Sequence, residues 1–292
     1  FYFYSYYKIS KLLLFHYILF LWKILYVYVT INRRLQTKDH RLNPQDKRGQ
    51  DMKLFNNIAG LGFIALTLTT LRGHKRRIEQ YKREDKKEEE REVILDACHY
   101  WSDQIIKHFN VDIQVVNPEN LPEKGPVVYV SNHQSYADIL TLLNVIKHQV
   151  GFIAKEELAK IPVFSKWILR IRSLFIIRAD TRESLKTISE GANMIKDGYS
   201  LIIFPEGTRS RGGEMASFKP GSLKLATKAR ATIIPITING SYKMYEETGE
   251  IKKNTKIEVI VHEPVDTAKM DRKELGELSD RLEETIKKAV HD

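Results

Sequence analysis

Residues 127–138, VVYVSNHQSYAD, contain the change of pattern that decides the fold. The apolar run Val127–Val130 is followed directly by a polar turn that carries His133 and Asp138. A short continuous apolar run that ends in turn residues is typical of a strand buried on both faces, as in a parallel sheet. Ligands of open α/β sheets gather beyond the carboxyl ends of such strands. The stretch therefore predicts a buried strand with a functional loop at its end.

The same pattern recurs along the chain from residue 93 onward. Amphipathic segments separate the apolar runs, and Asp180 with Glu183 and Asp271 with Glu274 have the spacing of helix-capping pairs. The other predicted strands are Leu174–Ile177, Leu201–Phe204, Ile233–Ile238 and Ile257–Val261. We predict an α/β fold, with one mixed sheet and helices on both of its faces, over residues 93–292.

His133 and Asp138 are candidates for a catalytic base and its orienting carboxylate. On one continuous helix they would point about 140° apart, so they could not pair easily. If His133 lies in the turn and Asp138 in the first turn of a helix, the carboxylate can reach back, fix the imidazole tautomer and stabilise the imidazolium. The alternative is a histidine that caps a turn and an aspartate that is favoured near a helix N-terminus.

Residues 204–210, FPEGTRS, follow another predicted strand and contain the features of a phosphate site. Pro205 and Gly207 favour a tight turn, and Thr208 offers a hydroxyl. Arg209 carries a fork of donors that matches a phosphate group. Glu206 would repel a phosphate, so we expect it to orient an arginine or to bind a hydroxyl of the substrate. A surface loop rich in turn-forming residues is the alternative interpretation.

Composition limits the possible partners. The formal net charge of +10 over 292 residues indicates an anionic partner. No zinc-ligand spacing and no basic strand with interleaved aromatic residues accompanies this charge, so we expect no nucleic-acid partner. Cys98 is the single cysteine, which excludes an intramolecular disulfide and a thiolate metal cluster. We interpret Cys98 as a packed small apolar residue and expect no metal site.

The N-terminal quarter of the chain is organised differently. Residues 1–51 have the composition that A/T-rich DNA encodes, and we interpret them as a non-native upstream extension of a chain that begins at Met52. Leu12–Ile31 within them also has the length of a membrane span. Residues 52–72 are uncharged from Leu54 to Leu71 and precede a basic run, which predicts a membrane anchor or an interfacial helix. Residues 73–92 are nearly all charged and are predicted to form a linker or a solvated helix.

These motifs together resemble the glycerolipid acyltransferase family, in particular its 1-acyl-sn-glycerol-3-phosphate acyltransferases. The Asn-His-x-x-x-x-Asp pattern at residues 132–138 and the FPEGTRS segment carry the resemblance. Further matching blocks, in consistent order, are Lys155–Leu158, Ser173–Arg178, Phe218–Gly221 and Ile234–Ile236. Ser173 stands where the second block of the family often has glycine.

The resemblance implies a reaction and a set of site residues. His133, held by Asp138, would deprotonate the sn-2 hydroxyl of lysophosphatidic acid, which attacks the thioester of acyl-CoA or acyl carrier protein and gives phosphatidic acid. No cofactor other than this acyl donor is implied. The acceptor would be bound by the second and third blocks, with these residues: Arg178, Glu206, Gly207, Thr208, Arg209 and, as a weaker phosphate candidate, Lys155.

Three alternatives remain at this point. The acceptor could be another lysolipid or glycerol-3-phosphate, or the chain could be a non-catalytic protein that binds a lipid surface. A serine hydrolase is disfavoured because neither Ser135 nor Ser210 lies in a Gly-x-Ser-x-Gly elbow. In each acyltransferase case we expect a membrane phospholipid surface as a partner, at the cytoplasmic face of the cell membrane.

Overall fold

The computed structural model describes residues 44–177 and 180–291. Most of the predicted upstream extension, residues 1–43, and the span-length run Leu12–Ile31 lie outside the described residues, as does Arg178. The described residues form two compact units, of which the first comprises residues 44–69 with 249–251 and the second comprises residues 70–248 with 252–291.

The second unit is built on one mixed sheet of eight strands within the described residues. The strand order is β1-β7-β6-β2-β5-β3-β4, and the short β8 pairs with β6 beside β7. The strands are β1 (Asp112–Val116), β2 (Val128–Ser131), β3 (Val150–Lys155), β4 (Leu174–Ile176), β5 (Ser200–Ile203), β6 (Thr232–Asn239), β7 (Lys256–Val261) and β8 (Val265–Asp266). All five strands from β6 to β4 run parallel, so their carboxyl ends lie at one edge of the sheet.

The helices connect these strands and precede them. They are α1 (Pro44–Thr70), α2 (Arg72–Arg83), α3 (Lys87–Phe109), α4 (Ala137–Val145), α5 (Pro162–Arg170), α6 (Thr181–Lys196), α7 (Lys224–Ala229) and α8 (Arg272–Ala289). The predicted α/β class, with a mixed sheet between helices, is confirmed. The Asp180 side chain accepts from two backbone amides at the start of α6. Asp271 and Glu274 form the capping box that begins α8.

The sheet buries an apolar core on each side of β2. Val128 and Val130 join a cluster that includes Leu201 of β5, Ile195 of α6 and Leu282 of α8. Tyr129 lies between the two valines in sequence and therefore points to the opposite face. Its hydroxyl donates to His148 Nε2 over 2.8 Å if that nitrogen is the unprotonated one. β2 is thus buried on both faces, as its continuous apolar pattern predicted.

The described N-terminal segments are mostly helical. Asp51–Thr70 of α1 is long and apolar enough to cross a membrane by its length and composition. Within this first unit, the buried Asn57 side chain donates to Gly249 O at 2.7 Å and accepts from Ile251 N at 2.9 Å. Residues 73–92 lie in α2, in the turn at residues 84–86 and in the first turns of α3, so the boundary predicted at residue 93 falls inside a helix.

The charged segment also contributes a buried ion pair to the second unit. Glu90 of α3 is buried and accepts from Arg172 Nε at 3.0 Å and from the Tyr199 hydroxyl at 3.1 Å. Cys98, two turns further along α3, is buried as predicted, and burial raises the pKa of its thiol to about 12.

Candidate active site

The turn between β2 and α4 brings a histidine and an aspartate into contact. Asp138 is the second residue of α4, and its Oδ2 lies 2.7 Å from His133 Nδ1. This is the geometry predicted from the sequence, in which His133 precedes the helix and the carboxylate reaches back to it. Nδ1 is therefore the donor nitrogen, and Nε2 on the other side of the ring can accept a proton.

The Asp138 carboxylate is buried and held by several donors. The residue is 0% exposed. Its Oδ2 also accepts from the backbone amides of Gln134 at 2.7 Å and Ser135 at 2.9 Å, while its Oδ1 accepts from the hydroxyl of Ser241. Donors of this kind stabilise the ionised carboxylate, which offsets the cost of burying its charge.

The His133 ring is fixed from a second side by the FPEGTRS loop. Its imidazole stacks on Phe204 with ring centroids 4.1 Å apart, and its side chain remains 16% exposed. The main chain of the two loops is joined as well, since Ser210 N donates to His133 O at 2.8 Å and Arg211 N to Gln134 O at 3.2 Å. The histidine is thus held in place but open to a substrate on one side.

Glu206 lies inside this pair of loops and not in a position to contact a substrate. It is 0% exposed, and its two oxygens accept from His133 N at 2.6 Å and Ala216 N at 2.8 Å. Burial raises its pKa, and the amides of Ala216 and His133 act in the opposite direction. The contact with a substrate hydroxyl expected from the sequence is replaced by a main-chain contact, because both carboxylate oxygens are engaged within the protein.

Arg209 is the cation within the FPEGTRS loop, and Glu246 orients it instead of Glu206. Its Nη1 donates to Glu246 Oε1 at 2.6 Å, and its guanidinium carbon lies 3.5 Å from the ring centroid of Tyr136. Glu246 Oε1 also accepts from Tyr136 N at 3.2 Å. The remaining N–H groups of the guanidinium are suited to an anion. The expected arginine-orienting role thus belongs to a residue further along the chain.

Comparison with known proteins matches the region that holds this geometry. The family model described as Acyltransferase matches residues 112–239, which include both loops. Across these residues the chain is similar to acyltransferases. The chain is 36% identical over 162 residues to a chloroplastic 1-acyl-sn-glycerol-3-phosphate acyltransferase of Arabidopsis thaliana. These aligned residues cover 54% of this chain and 45% of that protein. The chain therefore spans about half the length of this relative.

Two further matches cover more of the chain. A 1-acyl-sn-glycerol-3-phosphate acyltransferase of Saccharomyces cerevisiae is 29% identical over 237 residues, which cover 78% of this chain and 72% of that protein. The crystal structure of the 1-acyl-sn-glycerophosphate acyltransferase PlsC of Thermotoga maritima has a TM-score of 0.61 and 28% identity, and covers 80% of this chain and 95% of that one.

The other predicted site residues lie at the same sheet edge or outside the described part. Lys155 ends β3 and is exposed. Thr208 is exposed, and Gly207 has a φ of 68°, which its lack of a side chain permits. Arg178 lies outside the described residues. Among those that are described, no group of three or more His, Cys, Asp or Glu side chains could hold a metal ion.

Sequence reasoning did not find Ser241 or Glu246. Both follow the carboxyl end of β6, more than a hundred residues beyond the His133 turn. The rule that parallel strands end at one edge could have drawn attention to residues 240–246. It could not have identified which side chains in that segment face the candidate site.

Proposed function

We propose that this acyltransferase moves a fatty acyl chain from a thioester donor to the sn-2 hydroxyl of 1-acyl-glycerol-3-phosphate, giving phosphatidic acid. The observation that carries the proposal is the 2.7 Å contact between His133 Nδ1 and a fully buried Asp138 carboxylate. This pair supplies a base, and an alcohol needs a base to attack a thioester at a useful rate. The names of the relatives support the same acceptor.

The residues of the pair perform the proton transfers. His133 Nε2 takes the proton of the sn-2 hydroxyl as the oxygen attacks the thioester carbonyl carbon, and Asp138 stabilises the imidazolium that forms. When the tetrahedral intermediate collapses, the carbon–sulfur bond breaks and the imidazolium returns the proton to the leaving sulfur. The products are an ester and a free thiol, so the step balances without a covalent acyl-enzyme.

The acceptor phosphate is assigned to cations at the same edge of the sheet. Arg209 is the best supported, because Glu246 and Tyr136 hold its guanidinium beside the loop that carries the base. The exposed Thr208 offers a hydroxyl, and Gly207 leaves room for a backbone approach. Lys155 and Arg178 complete the proposed binding set. The buried Glu206 serves this set by tying the two loops together.

The donor and the cellular location are parts of the same proposal. Acyl-CoA and acyl carrier protein both present a thioester, and the reaction requires no other cofactor. The exposed cations of α2, Arg72, Lys75, Arg76, Arg77, Lys82 and Arg83, follow the apolar helix α1 directly. Basic residues beside an apolar segment are attracted to anionic headgroups at roughly 1 kcal/mol each. We place the protein at the cytoplasmic face of the cell membrane, against the phospholipid surface.

A transfer assay with the full chain tests the proposal. Purified protein is given lysophosphatidic acid in mixed micelles with either acyl-CoA or acyl carrier protein, and glycerol-3-phosphate and other lysolipids replace the acceptor in parallel reactions. His133→Ala and Asp138→Asn are expected to lower kcat by about 10² to 10⁴ with the fold retained.

His262→Gln provides a matched control, because this half-buried histidine pairs with Thr237 on β6 at 2.8 Å and has no proposed catalytic part. It is expected to keep wild-type kcat. Transfer that survives in His133→Ala would contradict the enzymatic proposal and favour a lipid-binding protein. Transfer to another lysolipid in preference to lysophosphatidic acid would contradict the proposed acceptor.

A further inference from the structure

Ser241 occupies a position beside the base that neither motif contains. It follows β6 at the start of a 3-10 turn, Ser241–Met244, and is 0% exposed. The preceding Gly240 has a φ of 81°, and a Cβ on it would lie 2.7 Å from Lys256 O. This glycine therefore allows the chain to turn sharply at the end of β6 and to direct residue 241 toward α4.

A side-chain clamp fixes the end of β6 against the loop that carries His133. Asn132 Nδ2 donates to Ile238 O at 2.9 Å, and Ile238 N donates to Asn132 Oδ1 at 2.7 Å. The amide of Asn132 thus imitates one more backbone pair between β2 and β6. Because the residue next to His133 is joined to a residue three positions before Ser241, the two groups keep a fixed relative position.

Within the described residues, the Ser241 hydroxyl is the one donor to Asp138 Oδ1, whereas His133 and two backbone amides share Oδ2. Gln134 Oε1, 3.3 Å from the same hydroxyl, is a longer alternative acceptor. A carboxylate held at one oxygen only can rotate about its Cβ–Cγ bond. Contact at Oδ1 removes that freedom and keeps Oδ2 aimed at the imidazole.

We propose that Ser241 is a positioning residue that acts through Asp138 to keep His133 in the orientation and tautomer of a base. The inference rests on the proposed function. Loss of one hydrogen bond to a charged group predicts a decrease of kcat by about ten- to a hundredfold in Ser241→Ala. The KM for the acceptor is expected to stay within about twofold, because Ser241 contacts no part of the proposed phosphate site.

The experiment compares Ser241→Ala with two variants that retain a donor, Ser241→Thr and Ser241→Cys, in the transfer assay and by thermal unfolding. Ser102→Ala is the matched control, since Ser102 is equally buried and its hydroxyl bonds His99 O at 3.1 Å in α3. Both alanine variants lose one buried hydroxyl. The inference predicts a lower kcat in Ser241→Ala alone, with at least partial recovery in one of the donor-retaining variants.

Two results would overturn it. One is a Ser241→Ala kcat within about twofold of wild type. The other is a lost kcat that neither Thr nor Cys restores and that accompanies a lower unfolding temperature, which would show that the hydroxyl only stabilises the fold. His133→Ala, assayed in parallel, separates this failure from failure of the proposed function, because activity retained in the His133 variant would contradict that function whatever Ser241→Ala does.

Discussion

Replacing Glu206 by glutamine distinguishes a buried main-chain contact from a substrate contact. The carboxylate accepts from His133 N at 2.6 Å and Ala216 N at 2.8 Å, and a glutamine side chain has only one acceptor oxygen for these two donors. A hydrogen bond to a charged group contributes about 1.5–3 kcal/mol, and an unpaired buried donor costs about 1–3 kcal/mol. One of the two amides is left without its acceptor, so we expect a loss of about 2 kcal/mol, the middle of the range for an unpaired buried donor.

For a domain of this size that loss corresponds to a decrease in the unfolding temperature of about 4–8 °C. Thermal denaturation measures it, and steady-state assays measure kcat and the acceptor KM. We expect kcat to fall because the His133 main chain is released, while KM stays within about twofold. Glu283→Gln is the control, since Glu283 is half-buried and its carboxylate accepts one backbone amide, Phe218 N at 2.8 Å. An unchanged unfolding temperature with a large rise in acceptor KM would refute the main-chain role.

Three further predictions concern the anion site, a buried histidine and two glycines. Arg209→Lys should raise the acceptor KM by about tenfold with a smaller change in kcat, because lysine lacks the planar guanidinium that Glu246 holds. An unchanged KM would contradict the assignment of Arg209 to the phosphate site. Burial lowers the pKa of His148, so the unfolded chain binds a proton that the folded chain excludes as the pH falls below about 6.5. The unfolding temperature should therefore drop between about pH 7 and pH 5, and the drop should be smaller in His148→Gln. An equal drop in the wild type and in His148→Gln would contradict this reasoning. In urea denaturation, Gly151→Ala should lower the free energy of unfolding by about 1–3 kcal/mol, because its Cβ would lie 2.3 Å from a backbone oxygen. Gly276→Ala, in open space within α8, should raise the free energy of unfolding by about 0.5–1 kcal/mol. Equal effects of the two substitutions would contradict the steric reasoning.

The predicted strands agree with the structure to within one residue at either end, for a physical reason. Strands in the middle of a parallel sheet are buried on both faces, so they appear as continuous apolar runs. β1 was not predicted, because it lies at the edge of the sheet and its residues alternate between exposed and half-buried. β3 was also missed. It contains Gly151, whose close approach to the main chain before β4 is a tertiary contact that no local pattern reports.

The site residues divide in the same way between local and distant contacts. His133 and Asp138 pair across a turn of five residues, so their contact follows from one helix start and could be predicted. Ser241 and Glu246 reach the same place only because β6 is parallel to β2 with a particular register. That register is set by the packing of the whole sheet, together with the Asn132 clamp, and spacing along the chain does not determine it.

The position of Glu206 resolves an electrostatic conflict in the FPEGTRS loop. A carboxylate three residues before Arg209, the proposed phosphate-binding residue, would weaken an anion site if both side chains faced the cleft. The Glu206 side chain instead turns inward, where its oxygens meet two backbone amides, while Arg209 remains beside the loop that carries the base. The same contact joins the anion loop to the main chain of His133. The Glu206 carboxylate therefore holds the His133 main chain without occupying the proposed anion site, which is why its replacement by glutamine should lower kcat and leave the acceptor KM within about twofold.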